Sequence, residues 1–158
     1  MRVVAIDPGT QCGYAFTDDG RAHAEFSGVW NLKPNRFEGG GMRFLRMRQH
    51  FDALTLTSPL GSGKNVMVVF EEVRRHRGTD AAHIYGGIIA IIASACELND
   101  IPYQGIPVGT IKKHATGKGN ANKKAMVEAA QAKFGPEVTD DNRADALWIL
   151  DYALTSLT

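Results

Sequence analysis

Two acidic residues stand where apolar runs end. Asp7 follows the apolar run at residues 3–6, and Glu71 follows the apolar run at residues 66–70. If the two runs are neighbouring strands, the carboxylates lie side by side, and their repulsion raises the pKa of one of them unless a cation intervenes. Carboxylate oxygens are the ligands that Mg²⁺ and Mn²⁺ prefer. The pattern therefore indicates a divalent-metal site at the ends of two strands.

A second pair of acids belongs to the last predicted helix. Asp141 and Asp145 are four residues apart, so they share one helical face. Asp140 or Asn142 takes the place of Asp141 if the helix start shifts. Asp145 is surrounded by apolar residues up to position 150, and an unpaired charge there is costly. With the strand-end acids this pair forms a four-carboxylate set of the kind used by two-metal nucleases, whose ions lie about 3.5–4 Å apart.

Each acid taken alone also fits an ordinary structural role. Asp7 precedes a Pro-Gly pair and is a candidate turn residue. Asp140 and Asp141 suit the positive first turn of a helix. Glu72 fits a solvated strand end. Asp145 fits such a role least well, because its neighbours are apolar.

Positive charge is segregated along the chain, although the net charge is only +1. The stretch "TGKGNANKKAMV" places a glycine-rich loop directly before a helix, and backbone N–H groups there attract phosphate. Lys123, in the first helical turn, is a candidate to neutralise a phosphodiester under attack. The other basic residues that suit a polyanion are Lys112, Lys113, Lys118, Lys124, Arg74, Arg75 and Arg77, with Arg43, Arg46 and Arg48 as a further cluster. The alternative for each patch is a solvated face.

The elements that must position these residues follow from the hydrophobic pattern. Strands are predicted at residues 3–6, 13–16, 24–30, 66–70 and 103–108, and helices at 42–54, 79–98, 122–134 and from 139 onward. Thr79 and Thr139 are the predicted N-caps of two helices. Loops are predicted at 31–41 and 58–65. The loop "SPLGSGKN" does not match a phosphate-binding Walker loop, because Ser58 replaces its first glycine and Asn65 its Ser/Thr.

Length and composition favour one domain covering residues 1–158 of an ordinary globular protein. No run of 18 apolar residues and no signal-peptide pattern is present, so we expect a cytoplasmic protein that does not enter a membrane. Cys12 and Cys96 are expected to be two reduced thiols.

Four ordered segments resemble the RuvC-type Holliday-junction resolvases, nucleases of the RNase H-like superfamily. The segments are "AIDPGTQCGYA" (5–15), "VFEEV" (69–73), "IKKHATGKGNANKKAMV" (111–127) and "DDNRADALWIL" (140–150). They place Asp7, Glu71 and Asp145 on three of the metal-binding acids of the family, and Lys112 and Lys123 on its basic positions. The usual penultimate ligand falls on Asn142, so Asp141, one residue earlier, is the expected substitute. The loop with Gly39-Gly40-Gly41 is more like the divergent bacteriophage members of the family.

The resemblance implies a mixed five-stranded α/β sheet, with its first three strands antiparallel and helices on both faces. It implies a structure-specific DNA endonuclease that nicks four-way junctions and other branched DNA and leaves a 5′-phosphate. The implied cofactor is a pair of Mg²⁺ ions, with Mn²⁺ as the expected substitute. Asp7, Glu71, Asp141 and Asp145 would bind the ions, and Lys123 would stabilise the phosphate. Symmetric cuts at a junction suit a homodimer, for which the helix at 79–98 is a candidate face and a core helix the alternative.

Two other functions remain open at this point. A phosphate-binding or nucleotide-binding domain of the actin-like group shares the strand-acid-glycine-threonine opening, but such proteins need two domains to enclose a nucleotide. A non-catalytic binder of branched DNA is the other alternative, although the full set of acids argues against it.

Overall fold

Residues 1–57 and 65–158 are described by the computed structural model. The predicted loop at 58–65, with the rejected Walker loop, lies outside the described residues except for Asn65. The strands are β1 (Arg2–Asp7), β2 (Gln11–Thr17), β3 (Ser27–Asn31), β4 (Val66–Glu72) and β5 (Tyr103–Pro107). The helices are α1 (Met42–Thr55), α2 (Thr79–Leu98), α3 (Val108–Thr116), α4 (Lys123–Phe134) and α5 (Asp141–Ser156), and a short 3₁₀ turn spans Ala24–Phe26.

The five strands form one mixed sheet in the order β3-β2-β1-β4-β5. β1, β2 and β3 pair antiparallel in chain order; a short turn joins β1 to β2, and a longer connection that includes the 3₁₀ turn joins β2 to β3. β4 lies parallel to β1, and β5 lies parallel to β4, each reached through a helix. The α/β fold with three antiparallel strands first and a mixed five-stranded sheet is therefore confirmed.

Helices cover both faces of the sheet, because the inner strands are apolar on both sides. Val3 and Ala5 point to the face packed by α3, α4 and α5, and Val4 and Ile6 point to the face packed by α1 and α2. Side chains alternate along a strand with a period of two, so Asp7 falls on the α5 face. Val69 faces the α5 side as well, which puts Glu71 on that face and Glu72 on the other.

The helix α2 belongs to the core of the second face. Its buried residues are Ile88, Ile92, Ala95 and Cys96. Among the described elements α2 is the one that is long and apolar enough to cross a membrane, a test that core helices also pass. Both cysteines are free and buried in this part of the molecule.

Two predicted N-caps are wrong, and the strand predicted at 24–30 begins at Ser27, after the 3₁₀ turn. α2 has Gly78, not Thr79, at its N-cap, and α5 is capped by Asp140, not Thr139. The Asp140 side chain accepts hydrogen bonds from the backbone N–H groups of Asn142 and Arg143, so the residue nearer the helix satisfies its free donors. The helix α3 had no counterpart among the predicted elements, because β5 runs into it with no intervening loop.

α5 approaches the sheet closely over Gly13 of β2. A Cβ atom on Gly13 would overlap the carbonyl oxygen of Asn142, and it would lie 2.7 Å from the carbonyl carbon and 3.2 Å from the Cβ of Asp7. Only a residue without a side chain lets the first turn of α5 rest here, beside the end of β1. Gly13 therefore determines how near the acids of α5 come to Asp7.

We expect Gly13→Ala to force α5 away from β2, because the obstacle is backbone and not a flexible side chain. Overpacking of this kind costs about 1–3 kcal/mol or more of the free energy of unfolding. Urea denaturation measures the loss. The control is Gly40→Ala, where the added Cβ meets no atom within 4 Å; equal stability of both variants would contradict the argument.

Candidate active site

Four carboxylates gather at one edge of the sheet, at the carboxyl ends of β1 and β4. The parallel register pairs Ile6 with Phe70, so Asp7 and Glu71 come next on neighbouring strands and face the same side. Asp141 and Asp145 come from the first two turns of α5, the helix that packs on that side. Asp7 is 8% exposed, and Asp145 is partly buried.

The carboxylates lie in each other's electric field. Burial raises the pKa of Asp7 well above its usual value, and the charges of Glu71, Asp145 and Asp141 raise it further, in that order of effect. Burial raises the pKa of Asp145 to about 7, and the charges of Glu71 and Asp141 add to the effect. Burial also raises the pKa of Glu71. Such shifts arise when acids share a site with too little solvent or cation to neutralise them, and they mark functional sites more often than ordinary surfaces.

Two lysines partly offset this negative charge. The Lys123 ammonium lies 2.9 Å from a carboxylate oxygen of Asp141, and this hydrogen bond and charge raise the pKa of Lys123. Lys112 lowers the pKa of both Glu71 and Asp145. A cleft of about 340 Å³ lies beside the two lysines. It is lined by Glu71, Val73, Arg75, Val108, Lys112, Lys123, Met126 and Asp145.

The three candidates for the penultimate position have different surroundings. Asp140 caps α5 with its side chain. The backbone of Asn142 lies over Gly13. The charge of Asp141 acts on Asp7 and Asp145, and its carboxylate contacts Lys123. Of the three, Asp141 is the residue whose charge acts on other acids of the cluster.

The donor chemistry of the cluster fits a divalent ion of the Mg²⁺ type. All four side chains offer hard carboxylate oxygens, and their mutual repulsion is what a cation relieves. Within residues 1–57 and 65–158, no three His, Cys, Asp or Glu side chains are placed closely enough to hold an ion together. Asp141 is engaged by Lys123, so the acids are gathered at one edge without forming a finished coordination shell.

The remaining predicted basic residues lie around this edge at different depths. Arg74, Arg75 and Arg77 are all exposed beyond β4; Arg75 also lines the cleft, and Arg74 lies 3.3 Å from Glu72. Lys113, Lys118 and Lys124 are exposed on α3, on the loop after it and on α4. The structure thus brings Lys112, Lys123 and Arg75 together with the acids and leaves the others on the surrounding surface.

Two bracing contacts, one of them made by Arg43 of the predicted basic cluster, were not predicted from the sequence. The Tyr85 hydroxyl donates to the carbonyl of Glu71 and accepts from the N–H of Val73, which fixes the end of β4. The guanidinium of Arg43 donates to the Thr10 hydroxyl at 2.6 Å and so holds the turn after Asp7. No local sequence signal marks these contacts, because their partners lie 14, 12 and 33 positions away.

Known proteins of one kind share this architecture. The solved structure of Thermus thermophilus RuvC matches 99% of this chain and 96% of its own, with a TM-score of 0.70 and 21% identity. A second match is T. thermophilus RuvC in complex with a Holliday junction substrate, with a TM-score of 0.69, 20% identity, and coverage of 99% and 94% of the two chains. The fold is therefore that of the RNase H-like proteins.

The sequence comparison points the same way. A curated relative, the crossover junction endodeoxyribonuclease RuvC of Brachyspira hyodysenteriae, is 29% identical over 150 residues, which span 94% of this chain and 91% of the relative. No protein-family model matches the chain. The resemblance to the RuvC-type resolvases that four motifs indicated is confirmed.

The raised pKa of Asp145 predicts how the metal-free protein responds to pH. Because the folded state favours the protonated acid, stability falls as pH rises from about 4 to about 7 and the buried group ionises. We expect Asp145→Asn to be more stable than the wild type at pH 8, by at most about 4 kcal/mol, and nearly equal at pH 4. Urea denaturation in EDTA between pH 4 and pH 8 measures the difference in the free energy of unfolding between the two proteins.

Asp80→Asn is the matched control, since Asp80 is an exposed acid in the first turn of α2, outside the cluster. A gain in Asp145→Asn that does not depend on pH, or an equal gain in both variants, would mean that burial with the other acids is not the cause.

Proposed function

We propose that this protein is a divalent-metal-dependent, structure-specific endonuclease that nicks four-way DNA junctions and other branched DNA. The observation that carries the proposal is the gathering of Asp7, Glu71, Asp141 and Asp145 at one sheet edge, where burial and mutual repulsion raise the pKa of Asp7 and Asp145. The names of the matched RuvC proteins, one of them solved with a Holliday junction substrate, support the same substrate class.

In this proposal the four carboxylates hold the metal ions. Mg²⁺ bound there supplies an activated water and stabilises the charge on the leaving oxygen. Asp7 and Glu71 provide fixed ligands from two strands, and Asp141 and Asp145 provide ligands from α5. Lys123 passes from its contact with Asp141 to the phosphate under attack, whose charge it neutralises. Cleavage leaves a 5′-phosphate.

The surrounding basic residues bind backbone phosphates of the DNA arms. The residues proposed for this role are Lys112, Lys113, Lys118, Lys124, Arg74, Arg75 and Arg77. Contacts with phosphates position the DNA but carry no base information. We therefore expect recognition of the branched shape, with an affinity that falls steeply as salt rises.

A homodimer with two-fold symmetry would place two such sites on one junction. The outward side of α2 supports the proposal, because small residues repeat along it at helical spacing. Gly86 and Ala90 are exposed, and Ala82 is partly so, while the other side of α2 is buried in the core. Small side chains let two helices approach closely, so this side is the proposed contact between protomers.

Synthetic four-way, three-way and flap DNAs, incubated with and without Mg²⁺, test the proposed activity. Paired nicks in the four-way junction that require Mg²⁺ would support it. Tight junction binding without any nicking would instead identify a non-catalytic binder. Nucleotide binding without DNA binding would favour the actin-like alternative.

Glu71→Gln and Glu72→Gln provide a matched comparison at the end of β4. Glu71 faces the cluster, whereas Glu72 points to the other side of the sheet and contacts Arg74. We expect Glu71→Gln to lower the nicking rate by roughly a hundredfold or more, as removal of a preorganised charged group does, while Glu72→Gln stays near the wild-type rate. Single-turnover cleavage at saturating protein measures the nicking rates of both variants and of the wild type.

Metal binding has its own readout in the same variants. Mg²⁺ should raise the thermal midpoint of the wild type and of Glu72→Gln, because a ligand of the folded state stabilises it. The rise should be smaller in Glu71→Gln. An identical Mg²⁺ response in all three proteins would remove Glu71 from the metal site.

Ala90→Arg tests the proposed protomer contact. A large charged side chain on the outer side of α2 should prevent close helix approach and leave the fold intact, since Ala90 is exposed. We expect a monomer in sedimentation velocity and loss of paired nicking of one junction. Ala132→Arg, at an exposed position of α4, is the control and should sediment as the wild type does. A dimeric Ala90→Arg would refute this interface.

A further inference from the structure

Phe37 is the most exposed large apolar side chain in the described part of the chain. It is 84% exposed, compared with 40% for Phe26 and 73% for Leu98. Single exposed apolar residues are common on protein surfaces, so exposure alone indicates nothing. Two observations suggest a role for Phe37: hydrogen bonds hold the turn that carries it, and this turn lies close to the candidate active site.

The turn at residues 35–38 is held by a network of hydrogen bonds. The N–H of Glu38 donates to the carbonyl of Asn35, and the N–H of Phe37 donates to the Asn35 side chain at 2.9 Å. The Glu38 carboxylate accepts from the N–H of Asn35 and binds Arg46 of α1 through both oxygens, at 2.6 and 2.8 Å. Arg46 also donates to the carbonyl of Lys33. The backbone of this turn is therefore preorganised, and its aromatic side chain points into solvent.

This turn lies at the edge of the sheet where the carboxylates gather. β3 ends at Asn31, which pairs with Gln11, the first residue of β2 after the turn that follows Asp7. The N–H of Leu32 donates to the carbonyl of Thr10 at 2.8 Å, and Arg43 of α1 donates to the Thr10 hydroxyl. The segment leading to Phe37 is thus joined to the turn beside the proposed catalytic acids.

A cation already lies on one face of the ring. The guanidinium carbon of Arg36 is 4.5 Å from the ring centroid of Phe37. The exposed remainder of the ring is an aromatic surface beside a cationic group. Nucleobases stack on aromatic side chains and on guanidinium planes, and the positive charge of Arg36 suits the adjoining phosphate. Bases inside an intact duplex are already stacked, so such a surface recognises bases exposed at a branch or in a single strand.

We infer that Phe37 is a base-stacking site, on which an unstacked nucleobase near the branch of the DNA packs while Arg36 contacts its phosphate. The inference rests on the proposed function for its choice of substrate, and it adds a direct contact with a base to a surface otherwise made of phosphate contacts.

Binding measured in EDTA, so that no strand is cut, tests the inference with Phe37→Ala. The affinity for a four-way junction should fall roughly fivefold to a hundredfold, the usual effect of removing one stacking side chain. The affinity for a linear duplex should not change. Leu98→Ala is the control, because Leu98 is also a large, exposed apolar residue but ends α2, at the opposite edge of the sheet. It should bind both DNAs as the wild type does.

Phe37→Trp keeps the stacking surface and adds a fluorescent reporter. It should bind the junction within about threefold of the wild type, and the junction should quench its additional fluorescence, measured against the wild type with its two tryptophans. Unchanged junction affinity in Phe37→Ala, or an equal loss on junction and duplex, would overturn the inference.

The failure of the proposed function would be distinguishable. If the wild type neither prefers nor nicks junctions, the nuclease proposal fails, and a single-stranded oligonucleotide then tests stacking by itself. Quenching of Phe37→Trp by the oligonucleotide would sustain the base site, and no quenching would remove it. If the wild type nicks junctions and Phe37→Ala nicks and binds them equally well, only the base-stacking site fails.

Discussion

Like charges forced together out of water are the constraint on which this structure depends. Asp7 is almost fully buried, and the charges of three further acids act on it, an arrangement that favours protonation and costs stability when the acids ionise. Such a cluster persists only if the surrounding structure holds it in place. The lysines Lys112 and Lys123 relieve part of the repulsion. A bound cation would relieve the remaining repulsion, and carboxylates with raised pKa values are found at functional sites more often than on ordinary surfaces.

The helix α5 is the element that maintains this crowding. Its apolar residues from Ala146 to Leu150 are buried against the sheet, so hydrophobic burial holds the helix where its acids meet Asp7. Arg143 ties its first turn to the Ser27 hydroxyl and the Ala24 carbonyl, at 2.8 and 2.7 Å. Further along, Asp151 binds His114 of α3 and Lys133 of α4. The same helix therefore positions the acids and, through its partners, the helices that carry the two lysines.

Local signals predicted the strands and most helices well, and failed where two elements meet. β1 and β4 were identified from continuous apolar runs that end on acids, a pattern that persists because both faces are covered. α3 was missed because β5 passes into it without a turn. The caps of α2 and α5 fell one residue from the predicted threonines. Cap choice depends on backbone angles at the helix start, which propensities do not specify.

The sequence by itself determined which side chains could do the chemistry. The ends of two apolar runs predicted that Asp7 and Glu71 lie side by side if the strands are neighbours, the spacing of four placed Asp141 and Asp145 on one helical face, and the resemblance to the RuvC-type resolvases ordered all four. Only the tertiary structure decided that the Asp140 side chain caps α5, that Gly13 admits α5, and that Tyr85 and Arg43 brace the end of β4 and the turn after β1. The physical reason is range: periodicity acts between neighbours along the chain, whereas burial, repulsion and close approach act between residues that meet only after folding.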